Sequence, residues 1–362
     1  MTTAFTAEQD DLRASVRAFL ADKAPSAAVR RWMDSDEGYD RAVWRQLADQ
    51  LGLPGLAIPE SYGGAGGSAV ELGIVLEEMG RTLLPGPYFA TVALATQALL
   101  ASEDEDAKAR WLPRIADGSL TATLAVGEDG GSWNLDDVRT TAVADSDAWR
   151  VSGAKMFVVD GDSAGLVLVI ARADDGLGLF AVEGGTRIRL TALDPTRRLA
   201  RVELDDVPAV RIVSTMDGLR RALDLAVVAL AAEQVGGAQA CLDAAVEYAK
   251  IRVQFNRPIG SFQAIKHKCA NMLLELEAAR SAVYHAAAVA GTDELAVAAA
   301  VAGSYCAEAY THIAKENIQI HGGIGYTWEH DAQLYLKRAK ASELLFGAPA
   351  WHRARLADLV GI

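Results

Sequence analysis

The sequence predicts an α+β chain of three domains: a helical N-terminal domain over residues 1–116, a central antiparallel β barrel or sandwich over 117–213, and a C-terminal four-helix bundle over 214–362. Two observations carry this prediction. Apolar residues recur at helical spacing at both ends of the chain, whereas the middle breaks into short β-rich runs. No helical pattern separates those runs, so the strand–helix alternation of a parallel Rossmann sheet is not expected. A length of 362 residues exceeds what one compact core usually takes, which favours two or three domains.

The elements follow in chain order. Thr6 and Gln9 form a capping box ahead of Leu12, Val16, Phe19 and Leu20, which share one helical stripe. "PESYGGAGG" (59–67) reads as a loop, and Ser68 with Glu71 caps the next helix. That helix breaks before Pro85, and another starts near Ser102 and runs toward Trp111. The central segment holds "TATLAV", "TTAVAD", "AWRVSG", "KMFVVDG", "AGLVLVIAR", "LGLFAVE" and "RLARVEL", set apart by Gly, Asp and Ser turns. Beyond them, Leu219, Leu223, Val227, Leu230 and Gln234 fall on one stripe of a long helix. Further periodic stretches over 261–290, 293–319 and 330–346, joined by short loops, predict the antiparallel bundle.

Composition removes several function classes. The net charge of −13 argues against a nucleic-acid or anionic-membrane binder, which needs a basic face. Cys241, Cys269 and Cys306 are far apart and form no CxxC pair, so they are expected to be reduced, buried thiols and not zinc ligands. The start of the chain is acidic and polar, and no secretory signal is expected there. "LDLAVVALAA" comes closest to a membrane span, but Arg220, Arg221 and Asp224 flank or interrupt it. A soluble, cytoplasmic protein is the expectation.

Three stretches carry candidate chemistry. In "RVQFNRPIGSFQAIKHK" (252–268), Arg252 and Gln254 precede an Asn/Pro/Gly break and Gln263 opens the next helix. That pattern reads either as a phosphate clamp, with a guanidinium fork beside permissive backbone, or as a plain helix–loop–helix with a solvated basic edge. "IQIHGGIGYTWEH" places three glycines in four positions after a long helical run, although each costs about 1 kcal/mol relative to alanine inside a helix. It reads as a glycine C-cap or as backbone left bare for a ligand. It is not GxGxxG and follows no strand, and His321 and Glu329 read better as helix-end polar residues than as metal ligands. "VGEDGGSWN" (126–134) is a glycine-bearing loop after a strand, either a surface turn or a set of free amides for an anion. No Ser/His/Asp or Cys/His nucleophile set stands out.

Taken together, these stretches resemble the FAD-dependent acyl-coenzyme A dehydrogenase family. The match runs through "PESYGGAGGSAVE", "WRVSGAKMFVVDG", "YAKIRVQFNRPIGSFQAIKHKCANM" and "IQIHGGIGYTWEHDAQLYLKRAK", nearly the whole chain in order. The resemblance implies the three-domain fold predicted above and assembly as a dimer or a dimer of dimers. It also implies a bundle that reaches across an interface to hold the ADP half of a neighbour's FAD. By position, Arg252 would pair with the pyrophosphate, and Gln254, Phe255 and Gln263 would line the cofactor's path. Gln319, Gly322 and Gly323 would let the backbone lie against the diphosphate and ribose. The implied reaction is α,β-dehydrogenation of an acyl-CoA thioester. In it a glutamate takes the α-proton, the β-hydride passes to flavin N5, and hydrogen bonds to the thioester carbonyl stabilise developing charge.

The departures from the family pattern are informative. The usual glutamate precedes a glycine at a place held here by Phe346, ahead of Gly347. The alternative family position, Glu-Arg early in the first bundle helix, matches Ala226 and Val227. The loop that normally reads Thr-Glu-Pro has Val126 in place of the threonine, while Ser132 remains as a phosphate contact. Phe157 sits where an aromatic shields the flavin, but Val159 replaces a hydroxyl residue that bonds near N5.

Residues that serve a neighbour's FAD are thus kept, and those that would serve this chain's own flavin are depleted. The resemblance therefore points to the non-catalytic subunit of a heteromeric acyl-CoA dehydrogenase, with a homologous subunit as partner and an electron-transfer flavoprotein as acceptor. Actinobacterial relatives of this kind form mixed tetramers acting on bulky substrates such as steroid side-chain thioesters. One alternative is a self-sufficient homo-oligomer whose base is Glu343, Asp224, Glu233 or Glu247. A flavin monooxygenase of related architecture and a cofactor-free scaffold subunit are further alternatives.

Overall fold

The computed structural model describes residues 5–146 and 148–362. Its secondary structure runs helices, strands, helices, and its contacts form two compact units. One unit joins the residues up to Arg30, Gly73–Leu84 and Val227–Ile362; the other joins Arg31–Leu72 and Pro85–Ala226.

The second unit contains the β region. Its strands are β1 (Ala122–Ala125), β2 (Thr141–Asp145), β3 (Ala148–Val159), β4 (Leu166–Ala173), β5 (Gly176–Val182), β6 (Thr186–Arg189) and β7 (Leu199–Ile212). The order β1-β4-β2-β3-β7-β5 closes on itself because β5 also pairs with β4, and β6 adds to β7. Every neighbour pairs antiparallel except β1–β4 and the single β2–β4 contact at Thr141 and Arg172, which are parallel. Val151, Val158, Val169, Phe180 and Val202 fill the interior, as β-branched and aromatic side chains do on pleated surfaces. Two of the predicted runs, "AWRVSG" and "KMFVVDG", form one strand, β3, because bulges at Val151/Gly153 and Lys155/Val158 absorb the break in alternation. β6, rich in arginine, was not among the predicted runs.

Around this barrel lie α3 (Arg41–Leu51), α5 (Thr96–Leu100, continuing a π-helical turn over Phe89–Ala95) and α6 (Glu105–Ala116). At the start of the chain, α1 (Ala7–Lys23) begins with the predicted capping box, and α2 (Ser26–Met33) follows. α4 (Ala69–Thr82) is held at its start by Glu71, which accepts from Ser68 N at 2.8 Å and Ser68 Oγ at 2.5 Å.

The first unit is helical. α7 (Met216–Ile251), α8 (Gln263–Ala288), α9 (Leu295–His321), α10 (Ala332–Ser342) and α11 (Pro349–Val360) supply the bundle, with α9 touching α8, α10 and α11. α4 and α7 approach through glycines. A Cβ on Gly80 would sit 2.0 Å from Glu233 O, and one on Gly236 would sit 1.8 Å from Glu77 O. Glu78, buried in α4, accepts from Arg13 at 3.2 Å and from Arg17 at 2.7 and 2.9 Å, which ties α1 to α4. The predicted stretch 330–346 is not one helix: α10 ends at Ser342, and Phe346 and Gly347 then take positive φ. α7 is long and apolar enough to cross a membrane by length and composition, but 83% of its most apolar window is buried within the chain. Cys241 and Cys306 are buried free thiols, whereas Cys269, expected to be buried, is only half-buried on α8.

Candidate functional site

Where α7 ends, Arg252 N donates to Tyr248 O at 2.9 Å and the chain leaves the helix. Val253–Gln254 then pair with Arg257–Pro258 in a two-residue hairpin. Its central residues, Phe255 and Asn256, both have positive φ, +52° and +57°, the conformation of a type I′ turn. For phenylalanine this left-handed backbone costs about 1–2 kcal/mol. The result is a ring 87% exposed at the hairpin tip, edge-on to Phe262 at 6.0 Å, with the Arg257 guanidinium 4.1 Å over Phe262. Gly260 is required locally, since a Cβ there would lie 2.9 Å from Ala249 O.

The second block begins where α9 stops. Gly322 has φ +65° and ψ −145°, a region essentially confined to glycine. Gly325 is packed, its would-be Cβ 3.0 Å from the Cβ of His321. Gly323 is different: its φ is ordinary, and a Cβ there would meet nothing within 4 Å among the described residues. Neither conformation nor packing within this chain demands the third glycine. The blocks are joined by Tyr248, whose ring stacks on His321 at 4.3 Å.

The side chains of Arg252, Gln263 and Gln319 are exposed and find no partner among the described residues, while Gln254 Nε2 reaches only the adjacent Val253 O. An unpaired guanidinium, unpaired amides and bare backbone at Gly323 fit the ADP half of FAD, which needs charge neutralisation and close approach.

The β region carries a cleft of about 590 Å³ lined by Glu128, Ser132, Asn134, Asp137, Arg139 and Thr140 among others. At its base Lys155 is fully buried and donates to Glu128 Oε1 at 2.8 Å and Val126 O at 3.0 Å. Thr140 N and Oγ1 donate to the same carboxylate oxygen, and Arg139 N to the other. Burial pushes the Lys155 ammonium down to about 8 despite its partner. Burial acts on Glu128 in the opposite sense, but the Lys155 and Thr140 hydrogen bonds outweigh it and hold the carboxyl at about 2.

The residues expected on the flavin side are placed as follows. Ser132, expected to meet a phosphate, donates to Asp137 Oδ2 at 2.6 Å and accepts from Asn134 N, so its hydroxyl is spent beside a carboxylate that repels an anion. Val126, which the resemblance sets at the threonine's place, is buried, and its carbonyl accepts from Lys155 Nζ at 3.0 Å. Phe157 lies in the second β3 bulge with φ +57° and is 36% exposed. Val159 is buried and its side chain is apolar, while its carbonyl accepts from Thr123 Oγ1 at 2.6 Å.

Phe346, Ala226 and Val227, which the resemblance sets at the positions of the base, are all buried and carry no ionisable group. The other carboxylates considered are committed elsewhere. Glu343 accepts from Thr311 at 2.8 Å and Lys340 at 2.5 Å; burial opposes its ionisation, yet those partners hold its carboxyl below the usual range. Glu233 is buried in an ion pair with Arg338, Glu247 pairs with Lys250 at 2.5 Å on the surface, and Asp224 is buried in α7. Sequence reasoning missed His352. It lies beside the Phe346–Gly347 turn, its Nε2 3.2 Å from where a Gly347 Cβ would be, and burial holds it neutral with its pKa down at about 4. Unfolding frees this ring to take a proton, so stability should fall as pH drops from about 6.5 toward 4. Urea midpoints across that window should slope less for His352→Gln than for the wild type.

The acyl-CoA dehydrogenase N-terminal domain model matches residues 6–119, and the C-terminal domain model matches residues 217–360. Acyl-CoA dehydrogenase IpdE2 of Mycobacterium tuberculosis is 40% identical over 342 residues, covering 94% of both chains. Among solved structures, a variant of the Tcur3481–Tcur3483 steroid ACAD is 32% identical with a TM-score of 0.90, covering 98% of both chains. The ChsE4–ChsE5 complex of Mycobacterium tuberculosis is 27% identical with a TM-score of 0.93, covering 100% of this chain and 99% of that one.

Proposed function

This chain belongs to the acyl-CoA dehydrogenase family of oxidoreductases, and we propose that it acts there as the subunit without the base, supplying part of a FAD site to a homologous partner. The observation that carries this reading is an asymmetry. The outward face of the bundle keeps Arg252, Gln263, Gln319 and the bare Gly323 unpaired, whereas the base positions hold Phe346, Ala226 and Val227. In such an assembly Arg252 neutralises diphosphate charge, the glutamines donate and accept along the cofactor, and Phe255 covers it from the hairpin tip. FAD, when bound, supplies the acceptor for the hydride leaving the acyl β-carbon. On this reading the proton goes to a carboxylate on the partner, because none stands here at either position that the resemblance gives the base.

The substrate we infer is a bulky acyl-CoA thioester, with an electron-transfer flavoprotein as acceptor. The likeness to a steroid ACAD supports the first, and the pairing of ChsE4 with ChsE5 supports a mixed assembly. The competing reading is a homo-oligomer that uses Glu343. Glu343→Gln in the mixed assembly should leave activity within about two-fold of wild type, the scatter of a change outside the reacting site. Loss of activity by orders of magnitude in that variant would favour the homo-oligomer.

A further inference from the structure

We propose that the packed rings of Tyr248, His321 and His330 are the positioning element that sets Arg252 against the Gly322–Gly323 backbone. The proposal rests on the reading of these residues as a clamp for the ADP half of FAD. Arg252 is the first residue beyond α7, and Gly322 is the first beyond α9. No hydrogen bond or ion pair between those two residues aligns them, so their relation is set by how the last turns of the helices meet.

Those last turns meet through rings. The Tyr248 carbonyl accepts from Arg252 N at 2.9 Å, which fixes the tyrosine and the arginine on the same final turn of α7. His321 ends α9 with Nδ1 2.8 Å from Asn317 O, so Nδ1–H donates back into its own helix and the ring plane is held. Tyr248 and His321 lie 4.3 Å apart with planes 28° from parallel. On the far side His330 packs against His321 at 4.5 Å and 54°, and its Nδ1 accepts from Ala332 N at 3.1 Å at the start of α10. Three elements are therefore linked by one run of rings. His321 is 6% exposed while Gly322 and Gly323, the next residues in the chain, are exposed, so the buried ring directly precedes the bare backbone.

An aliphatic contact would also hold the helix ends together, but flat rings in offset contact resist sliding and rotation as well. A guanidinium and a bare backbone segment must present their donors to one ligand in a fixed relation, and a supporting layer is what keeps such groups in register.

The test is FAD affinity of the mixed assembly, measured by titration into the FAD-depleted protein, together with its urea midpoint and its partner association. His321→Ala should weaken FAD binding by roughly ten-fold, the scale of an aromatic pair, with partner association retained. His321→Phe keeps a stacking ring and should restore affinity to within about three-fold of wild type. Tyr248→Leu and Tyr248→Phe form the parallel pair should His321→Ala fail to fold. Wild-type affinity in both ring-deleted variants would overturn the proposal, as would failure of both aromatic replacements to rescue. Arg252→Ala separates the two layers of the argument. If it leaves FAD affinity unchanged, the clamp reading itself fails; if it weakens binding while the ring variants do not, only the positioning role fails.

Discussion

Replacing Arg252 by Ala should weaken FAD retention by the mixed assembly roughly 10- to 150-fold, the equivalent of about 1.5–3 kcal/mol for hydrogen bonds to a charged group. The size follows from the guanidinium's situation. It is exposed and has no carboxylate of its own to lose, so removing it relieves nothing inside the chain. Its whole contribution lies in the ligand contact, and the urea midpoint of the isolated chain should stay within experimental scatter. Arg252→Lys should recover only part of the affinity, because an ammonium cannot offer a bidentate fork. FAD content by absorbance after desalting is the readout.

The largest stability effect should come from the β region. Glu128→Gln leaves Lys155 fully buried without its counter-charge, and breaking one partner of a buried pair costs about 3–5 kcal/mol. Adding Lys155→Met to Glu128→Gln should return most of that loss, because the uncompensated charge is then gone. In the wild-type pair the carboxyl is held at about 2, below its unfolded value. The stabilisation from Glu128 is therefore complete above about pH 4.5 and is lost as the pH falls toward 2. Denaturation followed from pH 6 to 2.5 should show that acid-side slope in the wild type and a shallower one in the double variant.

Much of the fold could be read in advance where a local rule dominates. The capping box of Thr6 and Gln9 and the cap of Glu71 on Ser68 depend on residues three apart, and both form. Local rules failed where tertiary contacts decide. A bulge let two alternating runs become one β3, β1 entered the sheet parallel, and α10 stopped at Ser342 because the turn through Phe346 and Gly347 leaves helical φ. Arg252, Gln263 and Gln319 are exposed and without a partner among the described residues, and their cofactor role is the proposal made above. The hydrogen bond of Ser132 to Asp137 was not legible in the sequence, since it depends on how one loop folds onto itself. The Tyr248–His321 stack was out of reach for another reason: two aromatic residues distant in sequence give no periodic signal that they meet. Lys155 and Glu128 were equally silent, because burial of a lysine follows from the closed barrel and not from its neighbours in sequence.

The central claim is that this chain holds FAD only together with a homologous, base-bearing partner. Its most direct test is the flavin absorbance of the chain purified alone, then after co-expression with that partner. Little flavin is expected on the chain alone, and a single FAD for each pair of chains in the mixed assembly. Stoichiometric FAD on the chain alone, bleached by an acyl-CoA, would contradict it and place a working base within this sequence.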